Sequence, residues 1–148
     1  MIFESFSSVE TENFARKMAS QAKPGSIYCL NGDLGVGKTV FAKGFASGLY
    51  IQNDVTSPTF TLINEYTCGD LPFYHFDVYR IQHTSQMQDV GYEDYFYGEG
   101  VCLVEWANLI EELLPQDVVT ITIEKNLNLS DDYRKITVKG RYNENLSD

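Results

Sequence analysis

The residues from Gly32 to Thr39 fit the pattern G-x-x-x-x-G-K-[ST], whose residue types are suited to holding the phosphates of a nucleotide. Glycines in such a loop let backbone N–H groups curl around a phosphate without a Cβ in the way. Lys38 can reach the β- and γ-phosphates, and the hydroxyl of Thr39 can bind Mg²⁺. A strand pattern precedes the loop and a helix pattern follows it, which favours a phosphate-binding loop over an empty glycine-rich turn. The predicted nucleotide-binding residues here are Asp33, Leu34, Gly35, Val36, Gly37, Lys38 and Thr39.

Two acidic residues end apolar strand patterns, where a protein with such a loop needs an acid to hold its metal ion. Asp77 ends the run 73–77 (FYHFD), and Glu105 ends the run 101–105 (VCLVE). Because ligands of open α/β sheets bind at the carboxyl ends of strands, both carboxylates can face the phosphates. One acid can hold Mg²⁺ through water while the other contacts the metal or orients the attacking water; the alternative for each is a solvated strand end. We predict that Lys38, Asp77 and Glu105 are the catalytic residues.

Arg80 and His75 flank Asp77, and each has two interpretations. Arg80 is the one basic residue between Gly44 and Glu124, a stretch that holds thirteen acidic residues. It either contacts the phosphates in cis or pairs with one of those acids. His75 shares a strand face with Asp77, although a lone strand histidine is more often a hydrogen-bonded core residue.

The segment Thr56-Ser57-Pro58-Thr59 lies between the loop helix and the next predicted strand. In nucleotide switches a threonine in this region often senses the γ-phosphate and Mg²⁺, so Thr59 is a candidate nucleotide ligand. A simple Ser-Pro turn is the alternative. Trp106, the single tryptophan, either packs in the core or covers the site or a docking surface.

The elements that must position these residues form the pattern of an α/β protein. A capping box at Ser7 to Glu10 predicts a helix that stops at Lys23-Pro24-Gly25, and a second helix follows the loop over 38–49. Leu109 to Leu114 is predicted to be helical. The predicted strands are 2–6, 26–30, 59–66, 73–78, 101–105, 118–124 and 133–139.

Short links between strands indicate their direction. Residues 59–66 and 73–78 should pair antiparallel, and 118–124 and 133–139 should form a closing hairpin. The fold class predicted is therefore a single P-loop NTPase-like α/β domain with three layers and a mixed parallel and antiparallel central sheet. We expect the domain to cover 1–142 and a polar tail to follow over 143–148.

Composition excludes several functional classes. The 148 residues carry a net charge of −10, and an acidic surface repels a phosphate backbone, so direct nucleic-acid binding is not expected. Cys29, Cys68 and Cys102 are odd in number and widely separated, which argues against zinc and against a disulfide framework.

No run approaches the roughly 18–20 apolar residues of a membrane span, and no signal peptide pattern begins the chain, so we expect a cytoplasmic protein without membrane partners. No N-K-x-D guanine motif or arginine-rich lid is present, which argues against a GTPase and a nucleotide kinase.

Four segments together resemble the bacterial TsaE (YjeE) family, the P-loop ATPases of tRNA threonylcarbamoyladenosine (t6A) biosynthesis. They are GDLGVGKT (32–39), SPTFTLINEY (57–66), YHFDVYR (74–80) and LVEW (103–106), in order and at family-like spacing. Val36 stands where the family usually has alanine. The resemblance implies ATP and Mg²⁺ at the loop, metal roles for Thr39 and Glu105, and a role for Asp77 at the phosphates.

The resemblance extends to further residues and to partners. It implies a functional role for Trp106 and nucleotide contacts for Ser8 and Arg134. It also implies that the chain works beside TsaD and TsaB, where ATP hydrolysis supports repeated turnovers of TsaD on adenosine 37 of ANN-decoding tRNAs. The chain would meet tRNA only through those partners. Two other classes stay open, a small-molecule P-loop kinase and a nucleotide-dependent binding switch with negligible turnover.

Overall fold

A computed structural model describes residues 1–33, 35–58 and 61–140 of the chain. Leu34, Thr59 and the tail 143–148 lie outside the described residues, as does the predicted domain end at 142. Within the described residues the elements are β1 (Ile2–Ser5), α1 (Ser8–Ala19), β2 (Ile27–Asn31), α2 (Lys38–Gly48), β3 (Ile63–Tyr66), β4 (Phe73–Asp77), α3 (Ser85–Asp89), α4 (Tyr92–Phe96), β5 (Val101–Glu105), a 3₁₀ helix (Ala107–Leu113), β6 (Val118–Lys125) and β7 (Arg134–Lys139).

The strands form one mixed sheet in the order β1-β7-β6-β2-β5-β4-β3. β6, β2, β5 and β4 are parallel to one another, whereas β7 pairs antiparallel with β6 and with β1, and β3 pairs antiparallel with β4. Buried side chains of α1 and α2 pack on one face, and those of α3, α4 and the 3₁₀ helix pack on the other. The predicted α/β class with three layers and a mixed sheet is confirmed.

Parallel pairing brings the chemically important chain positions to one edge of the sheet. β2 runs directly into the glycine-rich loop, and Leu30 near its end pairs with Glu105 at the end of β5. Glu105 in turn pairs with Asp77 at the end of β4. Because side chains in register on parallel strands share a face, the loop and both acids meet at the same corner of the domain.

The capping box is confirmed at the start of α1. The hydroxyl of Ser7 accepts a hydrogen bond from the Glu10 amide at 3.1 Å, and the Glu10 carboxylate accepts one from the Phe6 amide at 3.2 Å. The prediction that this helix continues to Lys23 is wrong, because α1 ends at Ala19. Cys29 and Cys102, which lie within apolar runs of the sequence, are buried in the core.

Two other predicted elements differ in the structure. The strand predicted over 59–66 begins only at Ile63, because Leu62 has a φ of +70°, a left-handed conformation that ends an extended strand. The helix predicted over 109–114 is a 3₁₀ helix from Ala107 to Leu113 that is broken by a non-helical Ile110. No helix among the described residues is long and apolar enough to cross a lipid bilayer.

Glycines let α1 and α2 pack at very short range. A Cβ built on Gly44 would overlap the carbonyl oxygen of Glu12, and one built on Gly48 would overlap that of Arg16. Both pairs are four residues apart, so two successive turns of α2 rest directly on the backbone of α1. This contact holds α1 against the helix that starts at the glycine-rich loop.

Gly44→Ala should destabilise the protein although alanine is the better helix former. The added methyl forces the helices apart, and overpacking of this kind costs about 1–3 kcal/mol, whereas the gain in helix propensity is at most about 1 kcal/mol. Urea unfolding should show a net loss, while Lys43→Ala, an exposed neighbour on α2, should change stability by no more than about 0.5 kcal/mol. A Gly44→Ala protein as stable as the wild type would contradict the close helix contact.

Candidate functional site

The glycine-rich loop has a backbone that only glycine adopts easily. Gly35 and Gly37 have φ values of +81° and +103°, in the left-handed region. A Cβ on Gly32 would lie 2.8 Å from the carbonyl oxygen of Ile123 on β6. Gly37 precedes α2 and offers no side chain to cap its first amides, so these N–H groups and the positive end of the helix are available to an anion.

Lys38, the first residue of α2, points its ammonium group back over the loop. Nζ donates a hydrogen bond to the Gly32 carbonyl oxygen at 2.6 Å and lies 3.7 Å from the centre of the Trp106 ring. The side chain is buried. Burial lowers the pKa of Lys38, and the carboxylates of Glu105, Asp77 and Asp33 oppose this effect in that order.

Asp77 is held in place by two hydrogen bonds from the chain around it. One carboxylate oxygen accepts from the Ser57 hydroxyl at 3.2 Å, and the other accepts from the Tyr79 amide at 3.0 Å. Ser57 belongs to the segment predicted to act as a switch, so the structure joins that segment to the β4 acid. Whether the segment is a switch or a simple turn stays a prediction, since Thr59 lies outside the described residues.

Glu105 lies in a different environment, because it is buried at the end of β5. Its Oε2 lies 2.5 Å from Nε2 of His75 on the neighbouring strand, and both side chains are almost fully enclosed. His75 is therefore a hydrogen-bonded core residue, and its partner is one of the two acids predicted at the phosphates. Sequence spacing relates His75 to Asp77, and it does not reveal this contact with a residue thirty positions away.

Trp106 covers the lysine from the side of the 3₁₀ helix. Its backbone has a φ of +61°, which turns the chain sharply after β5. Its ring packs at 4.7 Å from that of Tyr79 and also contacts the Lys38 ammonium. Of the alternatives for Trp106, the structure supports a position over the site. Arg80 is exposed after β4, and the choice between its two interpretations stays open.

Ser8 and Arg134 lie on the other side of the loop. Both line a small pocket together with Val36 and Gly37 of the loop itself. Arg134 is fixed there because its Nε donates a hydrogen bond to the Val36 carbonyl oxygen at 2.7 Å. The two residues assigned by resemblance are thus adjacent to the loop, although their contacts with a nucleotide stay predictions.

Lys125 is a further basic residue at the loop that sequence reasoning missed. It ends β6 and pairs in register with Arg134 on β7. Its Nζ lies 3.8 Å from the position that a Cβ on Gly35 would occupy. The signal that could have revealed it is strand order, because a β6 parallel to β2 must end at the loop edge.

The donor set at this edge fits a magnesium nucleotide. Thr39, Asp77 and Glu105 offer hydroxyl and carboxylate oxygens, which Mg²⁺ prefers, and the loop amides and Lys38 offer donors to phosphate. The described residues contain no group of three or more His, Cys, Asp or Glu side chains that could hold a metal by itself. An ion here would need phosphate oxygens and water to complete its coordination, which is usual for Mg²⁺.

A strand, a glycine-rich loop and a helix whose lysine returns over the sheet edge define a P-loop nucleotide-binding fold. Comparison with a model of the family described as "Threonylcarbamoyl adenosine biosynthesis protein TsaE" gives a match over residues 6–136. The chain belongs to the TsaE family, and the resemblance inferred from the four sequence segments is confirmed.

Curated relatives and a solved structure agree with this assignment. The tRNA threonylcarbamoyladenosine biosynthesis protein TsaE of Bacillus subtilis is 55% identical over 128 residues, which cover 86% of this chain and 78% of that protein. The protein of the same name from Treponema pallidum is 41% identical over 132 residues, covering 89% and 95% respectively. The crystal structure of Bacillus subtilis YdiB has a TM-score of 0.81 at 46% identity, and the match covers 95% of this chain and 84% of that one.

Lys38→Ala should lower ATP hydrolysis by at least about 10²-fold, because a preorganised donor to the phosphates is lost. The fold should remain intact, since Lys38 supplies charge at the loop rather than core packing. Phosphate release assays and circular dichroism on the purified variant test both parts. Normal hydrolysis by a folded Lys38→Ala protein would overturn the assignment of the loop.

The Lys38→Ala variant also tests how burial affects the charge of Lys38, through the pH dependence of protein stability. Because the pKa of Lys38 is lower in the folded state than in the unfolded chain, the unfolded state holds its proton longer as pH rises. The stability of the wild type relative to Lys38→Ala should therefore increase as pH rises through the lowered pKa.

Proposed function

We propose that this chain is an ATPase that binds ATP and Mg²⁺ at the P-loop and hydrolyses ATP in the service of t6A formation. Membership of the TsaE family gives the chain a role in t6A biosynthesis. The observation that carries the ATPase proposal is the meeting of Lys38, Asp77 and Glu105 at the ends of parallel strands, beside the open N-terminus of α2. Because tRNA modification acts on cytoplasmic tRNA, we propose that the chain works in the cytoplasm.

In this proposal, the surroundings of each site residue support a specific role in ATP binding or hydrolysis. The first amides of α2 and the loop bind the β- and γ-phosphates, and Lys38 balances their charge. Thr39 and Glu105 hold Mg²⁺, which when bound neutralises the charge that develops on the phosphates. Asp77, held by Ser57 and the Tyr79 amide, orients the attacking water.

The nucleoside is proposed to lie on the side of the loop where Ser8 and Arg134 line a pocket. Arg134 is held by the Val36 carbonyl oxygen, so it offers a fixed surface to the base or sugar at little entropic cost. Lys125 is close enough to the loop to add positive charge near the phosphates. This arrangement gives the acidic chain a local basic region where the polyphosphate enters.

The proposed partners are TsaD and TsaB, which dock beside Trp106. Tyr79, which packs on the half-buried Trp106, and Leu109, whose amide bonds to the Trp106 carbonyl oxygen, expose 46% and 43% of their surface, so exposed apolar groups lie beside the ring that covers Lys38. Apolar groups in this position suit a partner that excludes water from the phosphates. A closed, dry site stabilises the transition state better than an open one, so hydrolysis by the isolated chain should be slow.

Asp77→Asn and Glu105→Gln should impair hydrolysis in different ways. The first removes the acid that orients water and should lower kcat by about 10²–10⁴-fold at unchanged Mg²⁺ dependence. The second weakens a metal ligand and should raise the Mg²⁺ concentration needed for half-maximal rate. Steady-state kinetics over a Mg²⁺ series separates the two effects. The thermal unfolding of Asp77→Asn should stay close to that of the wild type, whereas Glu105→Gln weakens the buried bond to His75 and should melt at a lower temperature.

Asp89→Asn provides the matched control, since Asp89 is an exposed acid on α3. It changes the net charge as Asp77→Asn does, and it should leave kcat and the Mg²⁺ dependence unchanged. If Asp77→Asn or Glu105→Gln hydrolyses ATP normally with partners present, that acid has no role in hydrolysis.

Partner dependence and tRNA binding test the rest of the proposal. Phosphate release should be slow for the chain alone and rise strongly when TsaD and TsaB are added, with no phosphorylated acceptor formed. Direct binding of tRNA should be no tighter than about 10⁻⁴ M at physiological salt, because the acidic stretch from Gly44 to Glu124 offers a single cation.

Other outcomes identify the alternatives. A phosphorylated small molecule would indicate a kinase, and negligible phosphate release with partners present would indicate a binding switch. Submicromolar binding of tRNA to the chain alone, or a full ATPase rate without partners, would contradict the proposal.

A further inference from the structure

His75 uses its hydrogen-bonding capacity on one partner, the Glu105 carboxylate. Nε2 of His75 lies 2.5 Å from Oε2 of Glu105, and the two side chains are 1% and 5% exposed. The ring of His75 is also held by stacking on Phe73, with centroids 6.0 Å apart and an angle of 10° between the planes. The imidazole is therefore fixed in position before it meets the acid.

The surroundings of Nδ1, the second ring nitrogen of His75, indicate which of the two nitrogens carries the proton. Nδ1 of His75 is buried and has no hydrogen-bond partner among the described residues. A proton on Nδ1 would be a buried donor without an acceptor, whereas the ionised Glu105 carboxylate beside Nε2 can only accept a hydrogen bond. The proton consequently sits on Nε2, where it donates to Glu105.

The hydrogen bond from His75 gives the two carboxylate oxygens of Glu105 different roles. Oε2 is the oxygen that meets His75, which leaves Oε1 as the oxygen not engaged by the histidine. Glu105 pairs in register with Leu30, two residues before the first glycine of the loop, so the acid lies beside the loop. A glutamate has three side-chain torsions, and a bond to a fixed imidazole removes much of that freedom.

We propose that His75 is a positioning residue that aims Oε1 of Glu105 at the metal ion of the site. This inference rests on the proposed function, because it assumes that Glu105 is a metal ligand. Partners that orient a ligating carboxylate contribute to metal affinity although they never touch the metal, and their loss typically costs 10–100-fold. His75 thus acts on the metal only through Glu105.

Mg²⁺ titrations of nucleotide binding test the proposal without relying on hydrolysis. Binding of a non-hydrolysable ATP analogue to the full chain is measured by calorimetry over a Mg²⁺ series, and again in EDTA. His75→Leu keeps the bulk of the ring but removes the donor, so it should raise the required Mg²⁺ concentration by about 10–100-fold. Binding in EDTA should not change, because Glu105 has no metal to hold there.

Two polar variants distinguish positioning from packing and serve if His75→Leu does not fold. His75→Gln can place an amide N–H near the position of Nε2, so it should restore most of the Mg²⁺ dependence. His75→Asn is also polar but too short to reach Glu105, so it should behave like the leucine variant. Equal behaviour of the glutamine and asparagine variants would overturn the proposal.

A double-mutant cycle tests whether His75 acts through Glu105. In a Glu105→Gln background, His75→Leu should cause no further change in Mg²⁺ dependence. Phe76→Leu is the matched control, because Phe76 is buried on the same strand but faces the opposite side of the sheet. It should lower the melting temperature and leave the Mg²⁺ dependence unchanged.

The outcomes separate this inference from the proposed function. Failure of the wild type to bind the analogue with Mg²⁺ would contradict the proposed function itself. Normal binding by the wild type, with unchanged Mg²⁺ dependence in a folded His75→Leu protein, would contradict only the role of His75. A shift that persists in the Glu105→Gln background would show that His75 acts by another route.

Discussion

The buried ammonium group of Lys38 is the interaction on which the rest of the site depends. A charge taken out of water is costly unless acceptors and opposite charges surround it. The Gly32 carbonyl oxygen and the face of Trp106 contact it directly, and the carboxylates of Glu105, Asp77 and Asp33 act at longer range. Burial still lowers the pKa of Lys38, so the protein alone does not compensate the charge fully. A polyphosphate would supply the missing negative charge.

The sheet topology makes this arrangement possible. Strands that run parallel to β2 end at the edge at which the loop begins, and β5 and β4 bring their terminal acids there in register. The close contact of α1 with Gly44 and Gly48 then fixes α2 against the rest of the domain. The sheet edge and the packing of α2 on α1 therefore fix the position of Lys38. The fold does not need the lysine side chain to hold α2 in place.

The sequence predicts those features that depend on local pattern. The loop, its flanking strand and helix, the capping box at Ser7 and the strand ends at Asp77 and Glu105 are all local, and the structure has them at these positions. The start of β3 is different, because the carbonyl oxygen of the left-handed Leu62 accepts a hydrogen bond from the amide of Asp77, which is distant in sequence. The position of Lys125 at the loop and the contact of His75 with Glu105 could not be predicted from local sequence pattern either, because each depends on strand order and register.

The contrast between the two acids fits the division of labour that we propose for the site. Asp77 is half-buried and accepts hydrogen bonds from a hydroxyl and an amide of exposed neighbours. Glu105 is buried and bound to a rigid imidazole. A metal ligand must hold one direction through every cycle, whereas an acid that orients water must respond as the nucleotide and a partner arrive. Rigid support therefore suits Glu105 to the metal. The link of Asp77 to Ser57 suits it to the step that depends on closure of the site.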